Sequence, residues 1–92
     1  MVLALALPQA LTAAQAKACL AQLVRGLQAQ SGPVVVLDAS ALQRFDSSAL
    51  AVLLEFRRVC ARQGKSLLVQ GLPAHLLDLA SLYGVEDLVP RA

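Results

Sequence analysis

Short apolar runs alternate along this chain with longer segments whose apolar residues recur at the helical period. The run VVVL at residues 34–37 is continuous and largely β-branched, which is typical of a strand covered on both faces. The segments 2–7 and Ser66–Gln70 are two further predicted strands. Helical patterns follow each strand, so the predicted order is β-α-β-α-β-α. Because strands joined by helices pair through right-handed crossovers, we expect an α/β fold with a mostly parallel sheet.

Local signals mark the ends of the predicted helices. Thr12 and Gln15 form a T-x-x-Q capping box, which predicts the start of the first helix. Gly64 ends the second helix with a left-handed cap. The third begins at Pro73 and ends at Gly84. Its expected buried side consists of Leu76, Leu79, Ala80 and Tyr83.

Length and composition narrow the possible classes of protein. Ninety-two residues predict one domain, 1–92, and 58% apolar against 3% aromatic residues predicts a core of aliphatic side chains. A net charge of +2 without a basic cluster argues against nucleic-acid binding. Cys19 and Cys60 fall in apolar helical patterns, which predicts reduced core thiols in a reducing compartment. The opening MVLALALPQA lacks a basic start and its apolar run stops at Pro8, so we expect no signal peptide. No stretch approaches the roughly 18 uninterrupted apolar residues of a spanning helix, so we expect no membrane insertion.

Catalytic and metal-binding patterns are nearly missing from the sequence. His75 is the one histidine, and with two separated cysteines it makes no zinc-ligand spacing. Neither G-x-x-x-x-G-K-[ST] nor G-x-G-x-x-G occurs, so we expect no cofactor and no bound nucleotide. Asp38 follows a strand, at a position where parallel sheets often hold functional groups, although capping a turn with Ser40 explains it equally well.

The stretch QRFDSSALAVLLEF places a carboxylate and two hydroxyls directly before an apolar helix. Asp46 or Ser47 is the expected N-cap, because either side chain accepts a bond from a free backbone N–H. If Asp46 is the cap, Ser47 lies in the first turn at the positive end of the helix dipole. A phosphate group would be accommodated there.

The helix that follows has an apolar arc wider than one core face requires. Leu50 and Leu54 extend this arc, and Arg57 lies among them, whereas Arg58 faces the other way at the helical period. Such an arc predicts an exposed protein-binding patch. The alternative is that a neighbouring loop covers Leu50 and Leu54.

Three segments together resemble a known family. VVVLDAS, then FDSSALAVLLEF, then GKSLLVQGLPAHLLDLASLYGVEDLVP are similar to a STAS domain, the fold of the anti-sigma-factor antagonists, over about residues 2–90. The ending LASLYGVEDLVP most resembles the small cytoplasmic STAS subunit, MlaB-like, of Mla-type ABC transporters. Two features depart from the family. In this chain the first strand of the family is missing or reduced, which predicts an exposed sheet edge. Ala49 stands after the second hydroxyl residue, where the family usually has glycine.

The resemblance implies a non-enzymatic subunit that binds and supports an ATPase subunit, MlaF-like, and through it reaches a permease. Such transporters move phospholipid between the membranes of Gram-negative bacteria, which implies a cytoplasmic protein peripheral to the inner membrane. Ser47 matches a position phosphorylated in anti-sigma-factor antagonists and held by a hydroxyl residue in the transporter subunits. It is therefore expected to be a contact residue or a phosphosite.

Two other functions would use the same serine. The alternative is an anti-sigma-factor antagonist switched by phosphorylation of Ser47. A hydrolase that uses Ser47 as nucleophile lacks a base, since His75 lies on a different helix. The predicted partner-binding surface consists of Ser47, Leu50, Leu54, Arg57 and Arg58, with His75 near its rim.

Overall fold

The computed structural model describes residues 5–89, which form five short strands, three α-helices and one 3-10 helix. The elements are β1 (Leu5–Ala6), β2 (Ala10–Leu11), α1 (Ala13–Gln28), β3 (Val34–Asp38), β4 (Arg44–Phe45), α2 (Ser47–Arg62), β5 (Ser66–Gln70), α3 (Ala74–Leu82) and the 3-10 helix Glu86–Leu88. The prediction for residues 2–4 of the first strand lies outside the described residues. The predicted α/β class is confirmed.

The main sheet has the strand order β1-β3-β5, and both of its strand pairs are parallel, as predicted. β3 is the central strand. The expectation that it is covered on both faces is wrong, because Val35 and Leu37 are fully buried while Val34 is 43% exposed. Leu68, on the neighbouring strand, is 38% exposed. The helices therefore cover one face of the sheet and leave the other open.

The predicted helix ends agree with the structure at most positions. The capping box before α1 is formed, with the Thr12 N–H donating to Gln15 Oε1 at 2.9 Å. Gly64 and Gly84 have φ values of +73° and +71°, the left-handed conformation that a glycine cap supplies. Tyr83 was expected to be buried and is 56% exposed, because α3 ends at Leu82 before the helical stripe reaches it.

The core lies between the covered sheet face and the helices. Its largest fully buried side chains are Leu11, Leu27, Val35, Leu37, Leu53, Phe56, Cys60, Val69 and Leu76. Cys19 and Cys60 are both buried free thiols, as predicted, and burial raises the pKa of each. Among residues 5–89, none of the helices has the length and apolar character needed to cross a membrane.

A second, two-stranded sheet was not predicted from the sequence. β2 pairs in parallel with β4, so Ala10 lies opposite Arg44 and Leu11 opposite Phe45. The Gln9 carbonyl also accepts from the backbone N–H groups of Gln43 and Arg44, at 2.8 and 2.9 Å. Because β2 leads into α1 and β4 leads into α2, this small sheet brings the N-termini of the two helices side by side.

Candidate functional site

The start of α2 is organised by the carboxylate of Asp46. Asp46 is the N-cap, with extended backbone, and its Oδ1 accepts the Ser48 N–H at 2.8 Å. Its Oδ2 accepts the Ala13 N–H, at the first residue of α1, at 3.3 Å. One side chain thus accepts bonds from backbone donors at the starts of two helices, donors that helices leave without an internal partner. Ser47 is therefore the first residue of the helix rather than its cap.

The Asp46 carboxylate is held in its charged form. The backbone N–H of Ser48 lowers its pKa below the ordinary value of 3.8, and the Ala13 N–H lowers it further by a smaller amount. The Asp38 carboxylate behaves in the same way, since the backbone N–H of Ser40 donates to it at 2.9 Å and lowers its pKa. Asp38 thus forms a turn with Ser40, which is the structural role that the sequence allowed for it.

Ser47 is exposed in the first turn of α2, beside the adjoining N-termini of the two helices. Its hydroxyl takes no part in a hydrogen bond to any other residue within 5–89. The position therefore leaves the Ser47 oxygen accessible to a partner or to a modifying enzyme. The positive end of the α2 dipole favours negative charge at this position.

Four of the five residues predicted to bind a partner are at least partly accessible on α2. Ser47, Arg57 and Arg58 are exposed and Leu54 is half-buried. Leu50 is only 3% exposed and belongs to the core cluster, so its assignment to the exposed surface is wrong. The reason is tertiary packing, because α1, β5 and α3 all lie against α2, so more of the helix is buried than one core face requires.

The arginines of α2 differ in their surroundings. Arg58 and Arg62 both approach the Glu55 carboxylate, at 3.6 and 3.5 Å, on the exposed side of the helix. Within residues 5–89 no ion pair includes Arg57, which lines a cleft of about 330 Å³ beside the start of β5. Arg57 is therefore the arginine of the predicted surface that remains available to a partner's carboxylate.

A shallow groove of about 680 Å³ lies close to Ser47 along the chain. Its lining combines the segment before Asp46 with α3: Gln43, Arg44, Phe45, His75, Asp78, Leu79 and Leu82. His75 was expected near the rim of the site, and the structure places it across this groove from the residues that lead into α2. Sequence reasoning missed the groove itself. The groove is recognised from the structure, where Leu82, which is 77% exposed, and the half-buried Phe45 both line it.

Metal chemistry finds no support in the described residues. Residues 5–89 contain no group of three or more histidine, cysteine, aspartate or glutamate side chains placed to hold a metal ion. What the geometry shows is an accessible side of α2: an exposed serine on a capped helix, followed by a half-buried leucine and an arginine outside any ion pair in that range.

The chain was compared with known protein families and with curated proteins. A family model described as "Mlab, STAS domain" matches residues 2–90, nearly the whole length. The comparison with curated proteins found no match.

Proposed function

The chain belongs to the STAS-domain family described as Mlab, and we propose that it is a non-enzymatic subunit of an ABC transporter. In this proposal it binds the ATPase subunit, supports its assembly and activity, and contacts the permease only through it. The transporter moves phospholipids between bacterial membranes and so maintains the lipid asymmetry of the outer membrane. The chain is then cytoplasmic and peripheral to the inner membrane of a Gram-negative bacterium.

The exposure of Ser47 on a rigid helix start is the observation that carries this proposal. Asp46 caps the first turn of α2 through one hydrogen bond and ties it to α1 through another, so Ser47 is presented on a helix that is fixed at its start. Leu54 and Arg57 continue the same accessible side of α2 away from Ser47. An apolar anchor beside an arginine is typical of the residues that dominate protein interfaces.

A second candidate function uses the same serine as a switch. The Ser47 hydroxyl is accessible and lies at the positive end of α2, so a kinase could reach it and the phosphate would be stabilised there. The chain would then be an anti-sigma-factor antagonist, and its partner would be a serine kinase that it binds when unphosphorylated.

Co-expression tests the two candidates against each other. The tagged chain is produced with the ATPase and permease subunits encoded in the same genome, and separately with the serine kinases encoded there. We expect co-elution with the ATPase subunit and a higher rate of ATP hydrolysis when the chain is present. Co-elution with a kinase and phosphate on Ser47, without binding to the ATPase subunit, would instead establish the switch.

A further inference from the structure

α3 has a second stripe of side chains besides the one that it buries in the core. Leu76 and Ala80 face the core, at 1% and 0% exposed. The second stripe follows the helical positions i, i+3, i+4 and i+7 and consists of His75, Asp78, Leu79 and Leu82. All of these residues line the groove of about 680 Å³ opposite the segment that leads into Asp46. From its first to its last residue the stripe rises about 10 Å, which is roughly two helical turns.

The middle of this groove is apolar and partly open to solvent. Leu82 is 77% exposed, and the half-buried Leu79 lies one turn before it. Phe45, which is also half-buried, lines the groove from the other wall. Single exposed apolar residues are common on protein surfaces, whereas three that line one groove form a patch of the kind that marks a protein contact.

The two walls of the groove carry opposite charges. Arg44 is exposed on the wall that contains β4, and Asp78 is exposed on α3. Within residues 5–89 neither side chain takes part in an ion pair or a hydrogen bond. The backbone of Arg44 is fixed, because β4 pairs with β2 and places Arg44 opposite Ala10. A partner that complements the groove therefore brings an acidic group to one wall and a basic group to the other.

We propose that the groove holds an amphipathic α-helix of the partner polypeptide. The apolar face of that helix packs against Phe45, Leu79 and Leu82. Its polar edges place a basic side chain at Asp78 and an acidic one at Arg44. A helix suits this groove because side chains spaced at i, i+3 and i+4 form ridges between which those of a second helix interdigitate.

This inference rests on the proposed function for the identity of the partner, the ATPase subunit. The groove is continuous with the proposed surface of α2, because Phe45 is two positions before Ser47. One partner can therefore cover both. α3 of a second copy fits the groove less well, because it carries neither lysine nor arginine to place at Asp78.

Two matched pairs of variants test the groove through the affinity of the chain for the ATPase subunit. Asp78→Arg and Asp87→Arg reverse exposed carboxylates, and only Asp78 lines the groove. Leu82→Gln and Tyr83→Gln remove exposed apolar side chains, and only Leu82 lines the groove. We expect Asp78→Arg and Leu82→Gln each to raise the Kd by at least about tenfold, and the other two variants to change it little. Equal effects within each pair would overturn the inference.

Alkylation of a cysteine at position 82 tests whether the partner covers the groove. Cys19 and Cys60 are buried and should react slowly, so Leu82→Cys supplies the accessible thiol. In the complex with the ATPase subunit, its reaction with N-ethylmaleimide should slow by at least about tenfold, and that of Tyr83→Cys should slow less. A stable complex in which the thiol at position 82 reacts as fast as in the free chain would overturn the inference and leave the proposed function standing. Slower reaction on concentrating the pure chain would assign the groove to a second copy and likewise overturn the inference.

Amide hydrogen exchange of the ATPase subunit identifies the segment that occupies the groove. We expect binding of the chain to slow exchange in a helix of that subunit with apolar residues at i, i+3 and i+4 and a basic residue beside them. Reversing the charge of that basic residue should restore the binding of Asp78→Arg. Protection confined to segments without such a helix would overturn the inference. Failure of any complex to form would refute the proposed function and this inference together.

Discussion

Asp46 accepts a hydrogen bond from the backbone N–H of Ala13, 33 positions earlier in the chain, at 3.3 Å. The same carboxylate caps α2 through the Ser48 N–H. A helix cap usually stabilises one helix, whereas this one also ties the start of α2 to the start of α1. The candidate site therefore depends on a contact between two helices as well as on the local structure of α2.

The shared cap predicts an ordered series of stabilities at position 46. Asp46→Ala removes both acceptors and should lower the urea midpoint most. Asp46→Asn keeps an acceptor oxygen, and asparagine is also a good cap. Its urea midpoint should therefore lie between those of Asp46→Ala and the wild type. Asp38→Ala is the control, since that carboxylate also accepts a backbone N–H but its partner, Ser40, is two residues away in the same turn. An Asp46→Ala midpoint no lower than that of Asp38→Ala would contradict the bridging role.

The same carboxylates predict the direction of the pH dependence. Hydrogen bonds lower the pKa values of Asp46 and Asp38 in the folded chain below the ordinary value of 3.8, first through the backbone N–H groups of Ser48 and Ser40. The unfolded chain therefore takes up protons first as the pH falls. The stabilisation is complete well above pH 3.8 and is lost as the pH falls through the lowered pKa values. Urea midpoints at about pH 6 and about pH 3 should show this loss. Asp46→Asn should reduce the difference between these two midpoints. A difference as large as that of the wild type would contradict the contribution of Asp46 to the pH dependence.

Substitutions at Ser47 should separate folding from binding. Because Asp46 is the cap, Ser47→Ala should change the free energy of unfolding by no more than about 0.5 kcal/mol. Ser47→Glu should also fold, since a negative charge in the first turn suits the helix dipole. It should nevertheless weaken co-elution with the ATPase subunit, with Ser47→Thr as the control that keeps the hydroxyl. Wild-type co-elution of the Glu variant would place Ser47 outside the interface.

The isolated chain should not bind ATP. The sequence contains no phosphate-cradling loop, so in the proposed transporter any nucleotide dependence comes from the partner subunit. Calorimetry with magnesium ATP should show no heat of binding for the pure chain. Binding with a Kd of about 1 μM would contradict the assignment of this chain as the non-catalytic subunit.

Sequence signals that are complete within a few residues predicted the structure well. Ser66–Gln70 matches β5 at both ends, because an apolar run between two glycines contains all the information that places it. The capping box of Thr12 and Gln15 is likewise a local pattern. β2 and β4 have two residues each, too few for any periodicity, and they exist because two distant segments meet. The contact of Asp46 with Ala13 depends on that meeting and could not be predicted.

Leu50 shows why the surface was harder to predict than the elements. A helical wheel gives the angular position of a side chain, and Leu50 lies at the edge of the core arc. Whether such an edge position is buried depends on which elements pack beside the helix, here α1, β5 and α3 together. The same reasoning explains Val34 and Leu68. The apolar runs that contain them predicted strands. Which face of the sheet stays exposed depends on where the helices pack, and the runs do not contain that information.

The different burial of Leu50, Leu53 and Leu54 leads to the last prediction. Leu53 is fully buried, Leu50 is 3% exposed and Leu54 is half-buried. Leu50→Ala should therefore lower the free energy of unfolding by about 2–5 kcal/mol, as core truncations do. Leu53→Asp and Leu50→Asp should both prevent folding, since each would bury an unpaired charge.

Leu54→Asp should behave differently from these core variants. Its side chain can direct the carboxylate to solvent, so the chain should fold with a modestly lower Tm. Association with the ATPase subunit should nevertheless be lost, because a charge would replace the apolar anchor of the proposed surface. Circular dichroism melting and co-elution together measure both effects, with Ala51→Asp as an exposed control on the same helix. A folded Leu54→Asp variant that still co-elutes would exclude this side of α2, because burying an unpaired carboxylate at the anchor of an interface is strongly unfavourable.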